Sequence, residues 1–442
     1  MFSLGLDADA TTLSVLRLLA LVLLVCGCAS STRDRAWLDR QLHDRVGVTP
    51  CDDVHLDDGL SEPEVATLVL CRSPALRAEK TRIDAALATL DEARRPANPQ
   101  LTLLGPLGPV TALATLLVPL ESLWQMPSRA AAAARDADVT GEAVLLRALD
   151  LVRDARLLHI ELGLSVERAQ VRRELSQIAA EVARIAAVRA KTGDVSPMEE
   201  RVMSAEAQTA LDTSDFATTE VTMAHARLRA ALALDSTSVQ ATFTTDVSTP
   251  PTLRALIDFA RAARPDARSA DLAISAATAR AKWERSRVVN LSAQVEAHWN
   301  QTPGPAMRVG GRLELPIFHW NPGGIGRAEA EIERANALHE SVARAVILDV
   351  TLALARFEQA TRSRQRFEAD VLPTLDAALG MAQRGFESGD QTYLVVLDVL
   401  RRTGEARLRS AELRAEQRRA LCELERSIGA RLQNTRSERG NP

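Results

Sequence analysis

Residues 291–317 read LSAQVEAHWNQTPGPAMRVGGRLELPI, and they alternate between apolar and polar side chains on both sides of a short turn. From residue 291 to residue 299, every odd position is apolar and every even position is polar. Beyond the turn at 302–305, one face carries Val309, Leu313, Leu315 and Ile317, and the other carries Arg308, Arg312 and Glu314. A period of two residues predicts strands with one apolar face, and the Pro-Gly-Pro turn joins them into a hairpin.

The predicted hairpin has the dimensions of a membrane-spanning one. Each strand is as long as the roughly 9–11 residues that a membrane strand needs. Trp299 and Trp320 lie near strand ends, where interfacial aromatic residues are expected. A weaker copy of the hairpin occupies residues 100–104 and 110–118. The alternative interpretation is two small soluble hairpins that cap a helical bundle.

The number of strands limits how they can be arranged. Four strands per chain are too few to close a barrel, since about eight is the usual minimum. Open sheet edges leave backbone N–H and C=O groups unpaired, which the interior of a bilayer does not tolerate. If these strands cross a membrane, several copies of the chain must therefore share one barrel.

The chain also contains an internal repeat. Three pairs of similar phrases recur at offsets of 191, 197 and 196 residues: 73–77 with 264–268, 118–120 with 315–317, and 191–194 with 387–390. Such nearly constant offsets predict two similar halves. We assign the halves to residues 61–235 and 252–433, with a linker at 236–251 and a tail at 434–442. Each half reads as a helix, a hairpin, a long helix, a glycine-centred turn and another helix.

The long helices set the predicted architecture. The first covers about residues 128–190, and the next helix begins at Ser196 and Pro197, an N-cap and first-turn pair. The second covers about residues 325–388 with an interruption at Pro373, because proline lacks the N–H of a helical hydrogen bond. A helix of about 60 residues is about 90 Å long. These helices must lie side by side, in an extended bundle or in the wall of a barrel.

Composition excludes several classes of function. Aromatic residues make up only 3% of the 442 residues, which favours long helices packed through small side chains over a thick globular core. The net charge of −4 offers no basic surface for nucleic acid. We find no glycine-rich phosphate loop, nucleophile elbow or zinc-binding histidine pair. The sequence therefore predicts no enzyme, cofactor or metal site.

The N-terminus reads as an export signal. Residues 18–26 form an apolar run of about half the length of a spanning helix, after Arg17 and before small residues. The phrase at 25–30, Val-Cys-Gly-Cys-Ala-Ser, resembles a bacterial lipobox. That resemblance implies a signal peptide at 1–27, a lipid anchor on Cys28, a linker at 28–60 and sorting to the outer membrane. A plain signal peptide with a coincidental cysteine is the alternative.

Export would place the remaining cysteines in an oxidising compartment. Cys51 and Cys71 are spaced to close a loop of about 20 residues, which would contribute up to about 3 kcal/mol in the chain-entropy model. We predict this disulfide. Cys422 lies on a predicted helix and is interpreted as a small core residue.

Several phrases resemble the TolC-like outer membrane efflux protein family over roughly residues 60–433. They are the strand-to-helix phrase at 310–318, the mid-helix break at 371–373, and the turn with its following helix at 386–398. The phrases at 59–66 and 118–121 resemble the heavy-metal efflux branch more weakly.

The resemblance implies a mainly α protein with a small β part, assembled as a homotrimer. Four strands per chain would form a 12-strand transmembrane β-barrel above a periplasmic α-barrel of long helix hairpins. It implies a passive outer membrane conduit that works with a periplasmic adaptor protein and an inner-membrane RND-type pump. The adaptor would meet two helix-hairpin tips, which are Thr192, Gly193, Asp194 and Val195, and Ser388, Gly389, Asp390 and Gln391.

The resemblance also implies a gate residue. An acid at Asp398 would narrow the closed periplasmic entrance, and a ring of three such carboxylates would favour cations. Some family members have a second acid three residues earlier, and this chain has Val395 at that position. An ordinary solvated helix residue is the alternative interpretation of Asp398.

For the chain as a whole, the alternative function is a structural or adaptor-type periplasmic coiled-coil lipoprotein without a pore. No motif in the sequence identifies the exported compound, and the resemblance to the heavy-metal efflux branch slightly favours metal cations.

Overall fold

The computed structural model describes residues 33–47, 54, 59–105, 110–234, 241, 250–300 and 306–432. The predicted signal peptide, Cys28, Cys51 and the tail lie outside these residues. The elements of the first half are α1 (Arg35–Val46), α2 (Glu62–Arg72), α3 (Pro74–Ala93), β1 (Gln100–Leu104), β2 (Val110–Pro119), α4 (Ser122–Thr192) and α5 (Pro197–Leu232). Those of the second half are α6 (Leu253–Ala263), α7 (Pro265–Ser286), β3 (Asn290–Asn300), β4 (Ala306–Glu314), α8 (Pro322–Arg366), a π-helical turn (Phe367–Val371), α9 (Leu372–Ser388) and α10 (Tyr393–Ile428).

The chain is mainly α-helical, and its two halves share one order of elements, as predicted. It divides into two compact units, each built from both halves. The first unit comprises residues 1–38, 80–144 and 265–343, and the second comprises 39–79, 145–264 and 344–442. None of the helices that the structure describes is long and apolar enough to cross a lipid bilayer.

The first unit contains one antiparallel sheet in the order β1-β2-β3-β4. Both predicted hairpins are present, and β2 pairs with β3, so the two halves of the chain form a single sheet. The predicted alternation up to Ile317 extends too far, because β4 ends at Glu314. Pro316 has no N–H and cannot continue the hydrogen-bond ladder.

The long helices differ from the prediction at two points. Helix α4 begins at Ser122 rather than near Ser128. Pro127 lies inside its second turn, where its missing N–H removes one helical hydrogen bond, and the helix nevertheless continues through it. The predicted break in the second long helix is confirmed, and it takes the form of a π-helical turn just before Pro373. The N–H of Leu372 donates to the carbonyl of Phe367 across this wider turn.

In the second unit, α2, α4 and α5 share an apolar core. Its fully buried members include Val65 of α2, Leu162 of α4 and Leu228 of α5. Ile160 and Leu164, on either side of Leu162 in the sequence of α4, pack against Ala411 and Ala415 of α10. Alanines at these contacts let helix backbones approach closely, as the composition suggested.

A charged network lies inside this unit. Arg156 of α4 forms ion pairs with Glu62 at 2.7 Å and with Glu425 at 2.6 Å, and only 8% of the arginine is exposed. The charge of Arg156 lowers the pKa of the Glu62 carboxyl in spite of burial. Nearby, Nε2 of the fully buried His159 lies 2.8 Å from the carbonyl oxygen of Leu60.

Burial lowers the pKa of His159, which makes the stability of the second unit depend on pH. The unfolded chain binds a proton near pH 6.5, whereas the folded chain resists protonation until lower pH. The free energy of unfolding should therefore decrease as pH falls below about 6.5, down to the lowered pKa. His159→Gln, which keeps a donor for Leu60, should flatten this slope in urea titrations between pH 7 and pH 5. An unchanged slope would contradict this assignment.

The two described cysteines differ in state. Cys71 is disulfide-bonded, and its predicted partner Cys51 lies outside the described residues. Cys422 is a free and buried thiol, as predicted, and burial raises its pKa to about 12.

Candidate functional site

The first predicted tip closes the hairpin between α4 and α5. Gly193 has a φ of +83°, a left-handed conformation that glycine adopts without steric cost. The N–H of Asp194 donates to the carbonyl of Arg189 at 3.0 Å, which closes the last turn of α4. Ser196 then forms a reciprocal capping box with Glu199, so α5 begins where the sequence predicts.

The second tip, between α9 and α10, repeats this construction. Gly389 has a φ of +90°, and the N–H of Asp390 donates to the carbonyl of Gly385 at 2.8 Å. The hydroxyl of Ser388 donates to the carboxylate of Asp390 at 2.8 Å. In the first tip, Thr192 and Asp194 make the same bond at 2.8 Å.

The structure brings the two tips together within the second unit. The guanidinium of Arg189 donates to the carbonyl of Glu387 at 3.3 Å and lies 5.1 Å from the ring centre of Phe386. Around Phe386 is an apolar cluster from all four hairpin helices, formed by Ala186, Met203, Ala382 and Val396. This contact between sequence-distant turns was not predicted.

A groove of about 430 Å³ runs between α4 and the second hairpin, just behind the tips. Its floor is apolar, with Ile178 and Val182 of α4 facing Phe386. At its far end, Arg407 of α10 pairs with Glu174 of α4 at 3.1 Å and with Asp376 of α9 at 2.8 Å. The groove therefore combines an apolar floor with a charged end.

Asp398, the predicted gate residue, lies in the second turn of α10, which follows the second tip. Its side chain is 46% exposed, and its carboxylate pairs with Nε of Arg402 on the same helix at 2.9 Å. Val395, at the companion position, is 41% exposed. Arg402 was missed in the sequence, although the i,i+4 spacing of an acid and an arginine on a predicted helix is a readable signal.

In the part of the chain that the structure describes, no three His, Cys, Asp or Glu side chains come together in a way that could hold a metal ion. The candidate site is a surface of two turns, a groove and exposed charged side chains.

The positive φ at the second tip gives a test of its geometry. Gly389→Ala should lower the free energy of unfolding by about 1–2 kcal/mol, the cost of a left-handed conformation for a residue with a Cβ. Gly380→Ala is the matched control, because it lies inside α9 and should stabilise by about 0.5–1 kcal/mol. Chemical denaturation of both variants checks the prediction. If the two substitutions change the free energy of unfolding equally, the backbone conformation at position 389 does not require glycine.

Residues 256–430 match the sequence model of the outer membrane efflux protein family. A segment is 29% identical over 153 residues to the cobalt-zinc-cadmium resistance protein CzcC from Cupriavidus metallidurans (strain ATCC 43123 / DSM 2839 / NBRC 102507 / CH34), with 33% of this chain and 35% of CzcC covered. The match therefore spans about a third of that relative's length.

Solved structures share the fold of the chain. A membrane protein from Pseudomonas aeruginosa aligns with a TM-score of 0.70 at 19% identity, covering 83% of this chain and 93% of that one. The CmeC outer membrane channel from Campylobacter jejuni aligns with a TM-score of 0.71 at 13% identity, covering 84% and 86%. Residues 256–430 therefore match the outer membrane efflux protein family, and the chain has the fold of these solved membrane proteins.

Proposed function

We propose that this protein is the outer membrane channel of a tripartite efflux system, a passive conduit for small molecules or metal cations without chemistry of its own. The observation that carries the proposal is the register of the sheet. Leu101, Leu116, Val295 and Val309 lie side by side on one rung across the four strands. The next rung carries Thr102, Thr115, Glu296 and Arg308 on the opposite face.

Such a sheet suits a wall between lipid and water, with its apolar face toward lipid and its polar face toward a lumen. Its outer strands β1 and β4 have one unpaired edge each within the sheet. Since open edges are not tolerated in lipid, the strands of neighbouring copies must pair with them. Three copies of a four-stranded sheet give a barrel of 12 strands, which supports the proposed homotrimer in the outer membrane.

The two tips and the groove behind them are the proposed docking surface for a periplasmic adaptor protein. The tips lie together through Arg189 and Phe386, so a single partner can contact both. An inner-membrane RND-type pump would supply the energy. The substrate class of metal cations is supported by the resistance to cobalt, zinc and cadmium in the name of CzcC.

Lipid anchoring on Cys28 and the disulfide between Cys51 and Cys71 are also proposed. Cys28→Ala should abolish labelling of the protein by a radioactive fatty acid, and labelling that persists would refute the anchor. The bonded state of Cys71 supports the disulfide.

The proposed function predicts ion conductance by the purified oligomer in planar lipid bilayers. Heat-denatured protein from the same preparation is the control. An adaptor-type lipoprotein without a pore, the alternative function, would give no conductance above that control. Absence of conductance from folded oligomers would therefore overturn the proposal.

A further inference from the structure

We propose that Arg402 cancels the charge of Asp398 at the periplasmic entrance, so that the conduit does not sort solutes by the sign of their charge. The inference rests on the proposed function and concerns the class of solute that this same conduit admits. It starts from the exposed face of α10, which begins directly after the second tip.

This exposed face, here called the α10 stripe, is charged along its length. Its members recur at helical spacing: Asp398, Arg401, Arg402, Glu405, Arg409, Glu412 and Glu416. Among the described side chains of α10 that follow Val395 in the sequence, no large apolar residue is exposed. By contrast, α5 exposes Leu211, Phe216 and Met223. In an assembly of several copies, apolar faces are covered by neighbours, while the α10 stripe remains in water.

Each carboxylate of the α10 stripe has an arginine within 4 Å on the same helix. Asp398 pairs with Arg402 at 2.9 Å, and Glu405 pairs with Arg401 at 3.9 Å. Farther from the tip, Arg409 lies 3.2 Å from Glu412 and 3.8 Å from Glu416. The first turns of the stripe, from Asp398 to Glu405, therefore hold two acids and two arginines with no net charge.

Pairing changes what a passing ion experiences. A lone carboxylate exerts its field over about one Debye length, roughly 8–10 Å at physiological ionic strength. Because an arginine lies 2.9 Å from Asp398, an ion one Debye length away meets only the weak, short-range field of a dipole. A ring of such pairs has no net charge, and a net charge of one sign is what lets charged rings select ions in pores. Cations, anions and anionic metal complexes would then pass alike.

The test is ion selectivity of the full-length oligomer in planar bilayers, measured as the K⁺/Cl⁻ permeability ratio under a KCl gradient. The wild-type ratio should be close to the ratio of the two ions' mobilities in water. Arg402→Gln, which leaves Asp398 uncompensated, should raise the ratio roughly 25-fold, because a unit negative charge about 4 Å from an ion in water favours K⁺ about fivefold and disfavours Cl⁻ about fivefold. Asp398→Asn should lower it by a similar factor, and the double variant should return to the wild-type ratio.

Two controls separate pairing from other effects. Arg402→Lys keeps the positive charge and should retain the wild-type ratio. Arg184→Gln removes the arginine of a similarly exposed pair with Glu181, at a comparable distance from the first tip, and should leave the ratio unchanged. A wild-type channel that is already strongly cation-selective, or an Arg402→Gln channel with the wild-type ratio, would overturn the inference while conductance still supported the conduit. A protein without conductance would instead overturn the proposed function.

Discussion

Arg156→Ala should destabilise the protein by about 3–5 kcal/mol, the cost of breaking a buried ion pair by removing one partner. The guanidinium lies between the carboxylates of Glu62 and Glu425, at 2.7 and 2.6 Å. Without it, two largely buried acids would lose the ion-pair partner that lies between them. One of them would have to bind a proton or draw water into the core of the second unit.

The matched control is Arg153→Ala, one turn earlier on the same helix. Arg153 also pairs with two acids, Asp154 at 2.7 Å and Asp150 at 3.8 Å, but 26% of its side chain is exposed. Exposed pairs contribute about 0–1 kcal/mol. Urea unfolding followed by circular dichroism compares the two variants. Equal losses would show that burial of Arg156 does not determine its contribution.

Val295→Arg should produce the second large effect, a loss of about 2–4 kcal/mol in the stability of the protein folded into a bilayer. Val295 lies at the centre of β3 on the apolar face, between Leu116 of β2 and Val309 of β4. If this face contacts lipid, the variant places a guanidinium near the bilayer midplane. Folding into lipid vesicles over a urea series measures the loss.

Gln294→Arg is the control for that experiment. Gln294 is adjacent in sequence and lies on the polar face of the sheet, which the proposal assigns to the water-filled lumen. The variant should fold into vesicles almost as well as the wild type. If Gln294→Arg is as harmful as Val295→Arg, or if both are harmless, the assignment of the two faces to lipid and water is wrong.

Local sequence patterns were sufficient to predict the elements of this fold. Alternation over 291–299 predicted β3, Pro373 predicted the break that follows α8, and glycine at 193 and 389 predicted both tips. Each of these features depends on backbone preferences within a few residues. The two corrections, at Ser128 and Ile317, concern element ends: α4 begins before Pro127 and continues through it, and β4 ends before Pro316.

The contacts that join the halves could not be predicted in this way. Pairing of β2 with β3, the contact of Arg189 with the second tip, and the Arg156 network all join residues far apart in sequence. Periodicity shows which face of an element is apolar, but it does not show which element covers that face. Arg402 is different, because its partner is four residues away and the i,i+4 pattern is visible in the sequence.

The mass of the protein extracted from membranes in mild detergent tests whether several copies of the chain form one wall. A four-stranded sheet with open edges and one apolar face is incomplete in a bilayer, so several copies are needed to form one wall. Native mass spectrometry should find three copies of the chain in one complex. A protein that is extracted, folded, as a single copy would contradict the account, because one sheet of four strands cannot enclose a conduit.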